Sequence, residues 1–483
     1  MFRKKSLILL ILLLILVSNT IQADEKVSIE NLSLQDALAL MKKNNLELKV
    51  SKFSEQIKAY EAKIAKGHRY GKLDATVQAM RSNDAGNIFG FKLKSREANF
   101  GDFGFSDFMG AIGQGAGQAN GDFGAFSQGL AQQGGSILAL QPKDLNYPDT
   151  RNHFQTILSY MVPLYTGGKL DQYAKITSSL HTMSKLDTSK LLNEKVFQLT
   201  KTFYDISLLN HYSDNLNSII SNINRLEEIV KSMREEGFAK EIDELEVEAR
   251  KSEVESMSSQ ANFNKELAYQ YLSFLLNHNV ESIQDIDDRA NMPQVVKEEI
   301  QENNLDIQKA KLGLEITAMA IKLKEASFLP EVGAFGEYGS SDDNPLNKFF
   351  DKDFYTIGVQ AKWNIFNGNI DKNNLEIAKI ENMKVHEQVN LAKRGICLQI
   401  KKTITNIKSK NADIESLETQ LRFANRVYEN YKERYKEGSS SISDVLIKQS
   451  KELEVLLKLL TAKNDRNAKV FELNSIINKG ETL

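Results

Sequence analysis

The sequence predicts a mixed α and β membrane protein built from one unit written twice. Three observations carry that prediction. Short motifs recur at a fixed offset, strand-period alternation appears in both copies, and two stretches of about 70 residues hold helical periodicity with almost no Gly or Pro. Asn44-Asn45-Leu46 returns as Asn303-Asn304-Leu305, 259 positions later. Gly167, Glu236-Gly237, Asp243 and Leu245 return as Gly368, Glu437-Gly438, Asp444 and Leu446, at an offset of 201. Internal repeats outrank local patterns as fold signals. The drop in offset places 58 extra residues in the first copy, between about Gly71 and Pro163. The repeats are expected over 24–292 and 293–483.

The chain opens with Arg3-Lys4-Lys5 and an apolar run of 11 residues, Leu7 to Val17. That run is too short to span a bilayer and has the layout of an export signal, so 1–23 is expected to be a signal peptide cut after Ala23. Past it, no run of 18 apolar residues occurs, so membrane insertion, if any, is not by helices. Cys397 is the sole cysteine, which excludes an internal disulfide and a paired-cysteine metal site.

From Leu32 to about Lys66 apolar residues recur at helical spacing without a Pro, and a second such stretch covers about Val295 to Ala326. Period-two alternation predicts strands at about 73–82, 153–163, 331–340 and 354–366. The last is the clearest. Tyr355, Ile357, Val359, Ala361, Trp363 and Ile365 face one way, and Thr356, Gly358, Gln360, Lys362 and Asn364 the other. Between the first two strands lies the insertion, 82–150, with 13 of the chain's 27 glycines and interleaved phenylalanines. Its composition predicts a long surface loop, with a cover over a pore mouth or a partner contact as alternatives.

Lys169 to Glu236 is 68 residues without Gly or Pro. At 1.5 Å per residue it predicts about 100 Å of helix. The second copy spans the same 70 positions from Gly368 to Gly438. Each is expected to turn near its Gly and return, over about Glu241 to Leu276 and Ile442 to Ile477. Apolar residues every three or four positions predict coiled-coil packing.

Four strands per chain leave two sheet edges, which lipid does not tolerate. A closed barrel takes about eight strands at least, and more for an open channel. Three chains sharing one barrel of about twelve strands satisfy both demands better than two.

The order of these parts resembles the TolC-like outer-membrane efflux proteins, over essentially the whole chain after the signal. The local echoes are Leu32-Ser33-Leu34-Gln35-Asp36-Ala37-Leu38, Val162-Pro163-Leu164-Tyr165-Thr166-Gly167-Gly168-Lys169 with its second copy Asn364-Ile365-Phe366-Asn367-Gly368, and Tyr435-Lys436-Glu437-Gly438 with Asp444-Val445-Leu446. The resemblance implies a homotrimer, a twelve-stranded outer-membrane β-barrel joined to a long periplasmic α-helical barrel. It implies an exit duct of tripartite efflux or type I secretion, opened when a periplasmic adaptor and an inner-membrane pump or ABC transporter dock. It also implies gate positions at Asp243 and Tyr435, whose bond holds helix hairpins closed, and an acidic entrance position at Asp444. Gly237, Gly438, Ser439 and Ser440 are implied to be tips where the adaptor docks. The sequence departs from the family's namesake member at Ser440, where that member has a gating arginine, and at Ile447, where it has a second entrance aspartate.

No cofactor, metal or catalytic residue is expected. The six histidines show no pairing at i, i+4, and Gly113 to Gly121 lacks a phosphate-loop Lys-Ser/Thr. Lys and Arg number 62 against 64 Asp and Glu, which argues against nucleic acid. The competing expectation is a periplasm-spanning coiled-coil scaffold or adhesin stalk without a pore. The paired strands weigh against it.

Overall fold

In the computed structural model the described residues are 28–286, 289–295, 300, 302–345 and 348–477. The expected signal peptide lies outside them. The elements in chain order are α1 (Leu34–Asn44), α2 (Leu46–Gly67), β1 (Lys72–Ser82), α3 (Ala85–Lys94), α4 (Phe105–Gln118), α5 (Phe123–Leu138), α6 (Lys143–Asn146) and β2 (Arg151–Tyr165). There follow α7 (Lys169–Glu235), α8 (Glu241–Leu276), α9 (Leu305–Glu325), β3 (Glu331–Asp342), β4 (Asp353–Lys362), α10 (Ile370–Lys436) and α11 (Ile442–Ile477).

The chain forms two compact units, and each draws on both repeats. The sheet unit takes Tyr60–Ser178 and Ile316–Asn382, and the helical unit takes Ser179–Glu315 with the chain up to Ala59 and from Met383 onward.

In the helical unit, α7 and α10 are each 67 residues long and their return helices α8 and α11 each 36. The narrow apolar stripes meet: Leu216, Ile223, Leu226 and Val230 of α7 share one core with Val247, Val254 and Ala261 of α8 and with Val445, Leu446 and Leu453 of α11. A second core joins Ala37 and Met41 of α1 to Leu199, Phe203 and Ile206 of α7 and to Leu272, Leu275 and Leu276 of α8.

The continuous helix expected over Leu32 to Lys66 is instead two, broken at Asn45. Asn45 leaves the helical region, and its Oδ1 accepts the Leu48 N–H at 3.0 Å while its Nδ2 donates to the Leu275 carbonyl at 2.9 Å. The second copy repeats both bonds. Asn304 Oδ1 accepts the Ile307 N–H at 3.1 Å, and Nδ2 donates to the Ile476 carbonyl at 2.8 Å. Asn caps a helix well because its side chain satisfies an orphan N–H. The Asn-Asn-Leu repeat thus marks a cap and a cross-helix tether.

In the sheet unit the four strands form one antiparallel sheet in the order β1-β2-β3-β4, so β1 and β4 are open edges. Register places Ala75, Leu158, Tyr338 and Tyr355 in one row across the sheet, and the adjacent row is Asp74, Ser159, Glu337 and Thr356. Alternate rows point to opposite faces. One face is therefore apolar and the other polar. The apolar face is bare: Leu73, Val77, Tyr355 and Val359 are exposed, and Ile357 is 79% exposed.

Two strand expectations need correction. β4 stops at Lys362 rather than 366, because its partner starts at Glu331 directly after Pro330, which has no N–H to donate. Trp363 lies beyond the strand and donates its indole N–H to the Phe328 carbonyl at 3.0 Å. β2 continues through Pro163 to Tyr165, with an irregularity in the register at that Pro.

The insertion is not the long loop expected. It holds four helices, α3 to α6. Glycine lowers helix propensity, but side-chain caps and packing override it here. Asp84 accepts the Asn87 N–H, and Asp122 accepts those of Gly124 and Ala125. Asn99 and Asp102 form a reciprocal capping box on the turn at Phe100–Phe103. Ile88 and Phe91 of α3 are buried.

Candidate functional site

The residues singled out at the helix tips all lie in the helical unit. Both tips share one backbone solution. Gly237 has φ +82° and Gly438 φ +71°. At the first tip the Gly237 N–H donates to the Arg234 carbonyl at 3.0 Å, and the Phe238 N–H reaches back to Met233 at 2.7 Å. At the second, Gly438 donates to Tyr435 at 2.9 Å and Ser439 to Arg434 at 2.8 Å. This paired pattern is a Schellman motif, which needs a left-handed residue where the Gly stands.

The return helices then begin with an aspartate three residues past the cap. Asp444 Oδ2 accepts from the Ser441 hydroxyl at 2.7 Å and lies 3.4 Å from the Ser441 N–H, while the Ser441 Oγ accepts the Asp444 N–H at 3.1 Å. Ser440 Oγ stands 3.5 Å from the same carboxylate. The Ser441 hydroxyl, then its N–H, hold the Asp444 carboxyl below its usual range. At the first tip Asp243 Oδ2 accepts the Lys240 N–H at 2.8 Å. Lys240 has no side-chain acceptor to return the favour, so this box is half made.

Tyr435 and Asp243 are neighbours in charge but share no hydrogen bond within the chain. Tyr435 is buried, its hydroxyl has no partner, and its phenol is raised first by burial and then by the Asp243 charge. One oxygen of Asp243 serves Lys240.

Above the tips sits a group that the sequence reading missed. Tyr428 is buried with an unpartnered hydroxyl, and burial followed by Glu429 and Glu452 pushes its phenol up to about 12. Arg250 is buried, reaching Glu253 at 2.6 Å and Gln449 at 3.5 Å, yet its Nη2 and the Gln449 Nε2 are unpartnered. The signal was present in the sequence. Arg250 interrupts the stripe Val247, Val254, Ala261, and Gln449 interrupts Val445, Leu453. A buried polar group without a partner costs about 1–3 kcal/mol, and Tyr428 and Gln449 stand close enough to supply one another.

Among the described residues no helix is long and apolar enough to cross a membrane. Each unit has its own character: one sheet with a bare apolar face, and long helical hairpins packed as a coiled coil. Residues 296–479 match the model of the family described as outer membrane efflux protein. No curated protein sequence matches the chain. Solved structures share the fold over nearly the full length. The outer membrane channel CmeC of Campylobacter jejuni aligns with a TM-score of 0.74 at 15% identity, covering 92% of this chain and 86% of that one. The open-state outer membrane channel MtrE of Neisseria gonorrhoeae gives 0.71 at 14%, covering 92% and 89%. The outer membrane protein VceC of Vibrio cholerae gives 0.70 at 14%, covering 92% and 95%.

Proposed function

We propose that this chain is an outer-membrane efflux duct, a passive pore and not an enzyme, in which three copies close one barrel of twelve strands. The observation that carries the proposal is the sheet. It has one bare apolar face, one polar face and two open edges. Lipid suits the apolar face, water suits the polar one, and only closure with further copies satisfies the edges. The long hairpins extend from this barrel into the periplasm as a helical conduit. A periplasmic adaptor and an inner-membrane pump or ABC transporter meet it at the tips around Gly237, Gly438, Ser439 and Ser440.

The tips are the gate. Tyr435 supplies a buried phenol without a partner, and Asp243 a charge that it already feels. A hydrogen bond between them, absent within the single chain, forms in the closed arrangement and stabilises it by about 1 kcal/mol, small enough for docking to break. Asp444 contributes negative charge at the entrance and favours cations there.

The test is native mass in mild detergent, followed by single-channel conductance in a planar bilayer. A trimer with small, steady openings is expected. A monomer, or inserted protein without conductance, overturns the duct and favours a stalk.

A further inference from the structure

The insertion is anchored on the polar face of the sheet through His153 and Arg151, with Asp342 reached from the opposite row at the strand end. His153 shares a face with Ser159, since side chains two apart along a strand point the same way. Phe91 of α3 lies flat on the His153 ring, with centroids 4.1 Å apart and planes 5° from parallel. His153 is 0% exposed. Beside this stack, Glu97 accepts from both Arg151 and Lys352, and Lys352 also reaches Asp342 at 2.6 Å. Burial pushes the Glu97 carboxyl up, and its bonds to Lys352 and Arg151 outweigh that and hold it low. Arg96 donates to the Asp353 carbonyl. The anchor thus ties α3 and the residues after it to β2, β3 and β4, at the sheet end where β1 leads to β2 and β3 to β4.

What the anchor presents is chemically unusual for a surface. From Phe105 to Leu140 the only charged residues are Asp107 and Asp122. Both are spent on backbone: Asp107 accepts the Lys143 N–H, and Asp122 caps α5. The remainder is Gly, Ala, Gln, Ser, one Asn and large apolar side chains. Phe123 and Leu138 are each 80% exposed, and Phe105 and Met109 about half exposed. Uncharged helices with bare apolar residues seek a partner. Lipid is not that partner, because the anchor sits on the face away from the apolar one. Glycines at 110, 113, 117, 124 and 129 let helices approach closely.

We propose that the α4–α5 hairpins of the three copies pack against one another across the barrel interior and plug its outer mouth. This rests on the duct reading. In a closed barrel the polar face looks inward, so three anchored hairpins converge on one axis. The occupant of each bare apolar surface is then the equivalent hairpin of a neighbouring copy. The strand ends at this mouth are those remote in sequence from the long helices.

The plug can be removed cleanly, because its ends touch: a Cβ on Gly104 would meet Pro142 at 2.3 Å. The experiment replaces Phe105–Leu140 of the full chain with a short Gly-Ser linker, and compares conductance in a Y435F/D243A background so that the tip gate does not limit the current. It also makes F123C and L138C separately in a C397S background. The expected result is a trimer on native gels, single-channel conductance raised about twofold or more, and oxidative cross-links between copies for at least one cysteine variant. Conductance unchanged in a trimeric deletion variant, with no cross-links, overturns the plug and leaves the duct standing. If the deletion does not fold, F123S with L138S replaces it, and the same rise in conductance is expected. A full-length chain that is not trimeric refutes the duct, and the plug with it.

Discussion

The two hairpin tips show what a duplication keeps and what it releases. Both retain a left-handed Gly, a Schellman pair and an aspartate in the first turn of the return helix. These are backbone demands. The surfaces differ. The first tip carries Phe238 and Ile242 exposed where the second carries Ser439 and Ser443. Leu245 is 50% exposed and its counterpart Leu446 only 8%. The second tip completes its capping box through Ser441, and the first cannot through Lys240. One backbone therefore presents an apolar tip and a polar, better-capped one.

The largest effect is expected at the glycines. G237V and G438V each force a β-branched residue into the left-handed region and cost about 2 kcal/mol locally. Amide exchange at the last turn of α7 and of α10 reads this out. Equal losses support a shared backbone rule. A loss at one tip only breaks it.

Next come the caps. S441A costs the start of α11 about 1 kcal/mol, whereas K240S lets the first tip complete its box and gains about as much for α8. Exchange protection in the first turn of each helix should fall and rise respectively. If K240S gains nothing, the difference between the tips does not lie in the cap.

The gate comes third. Y435F with D243A removes both halves of the proposed bond, and losing about 1 kcal/mol raises the open fraction about fivefold. The readout is leak conductance of the undocked channel. Unchanged leak removes this pair as the latch.

The smallest effect is with pH. The carboxyl of Asp444 is lowered in the folded chain from an ordinary value of 3.8. A depressed carboxylate stabilises above its unfolded value and stops doing so as pH falls through the folded one. The exchange protection factor at the start of α11, taken relative to the intrinsic rate at each pH, should be flat near neutrality and fall below about pH 4. Loss of protection above pH 6 instead would point to another group.

Much of this architecture was legible along the chain. Absence of Gly and Pro from Lys169 to Glu236 is a direct statement about helix length, because only those residues break a helix strongly. Alternation at Tyr355 to Ala361 likewise states a two-faced strand. The insertion was misread because composition counts glycines and does not see that Asp84, Asn99 and Asp122 cap helices, or that Phe91 finds His153. The break at Asn45 was hidden for a similar reason: the bond that stabilises it goes to Leu275, far away in sequence.

The sequence by itself determined the duplication, the period of each element and the places where backbone must turn, since these depend on local sterics and spacing. Only the tertiary structure decided which strand ends bear the insertion's anchor, that Asp243 serves Lys240 and leaves Tyr435 unpaired, and that Arg250 and Gln449 share one buried layer. The first and last of these depend on contacts between residues roughly 50 to 260 positions apart, Glu97 with Arg151 and Lys352 among them. Their energies exist only once the chain has closed.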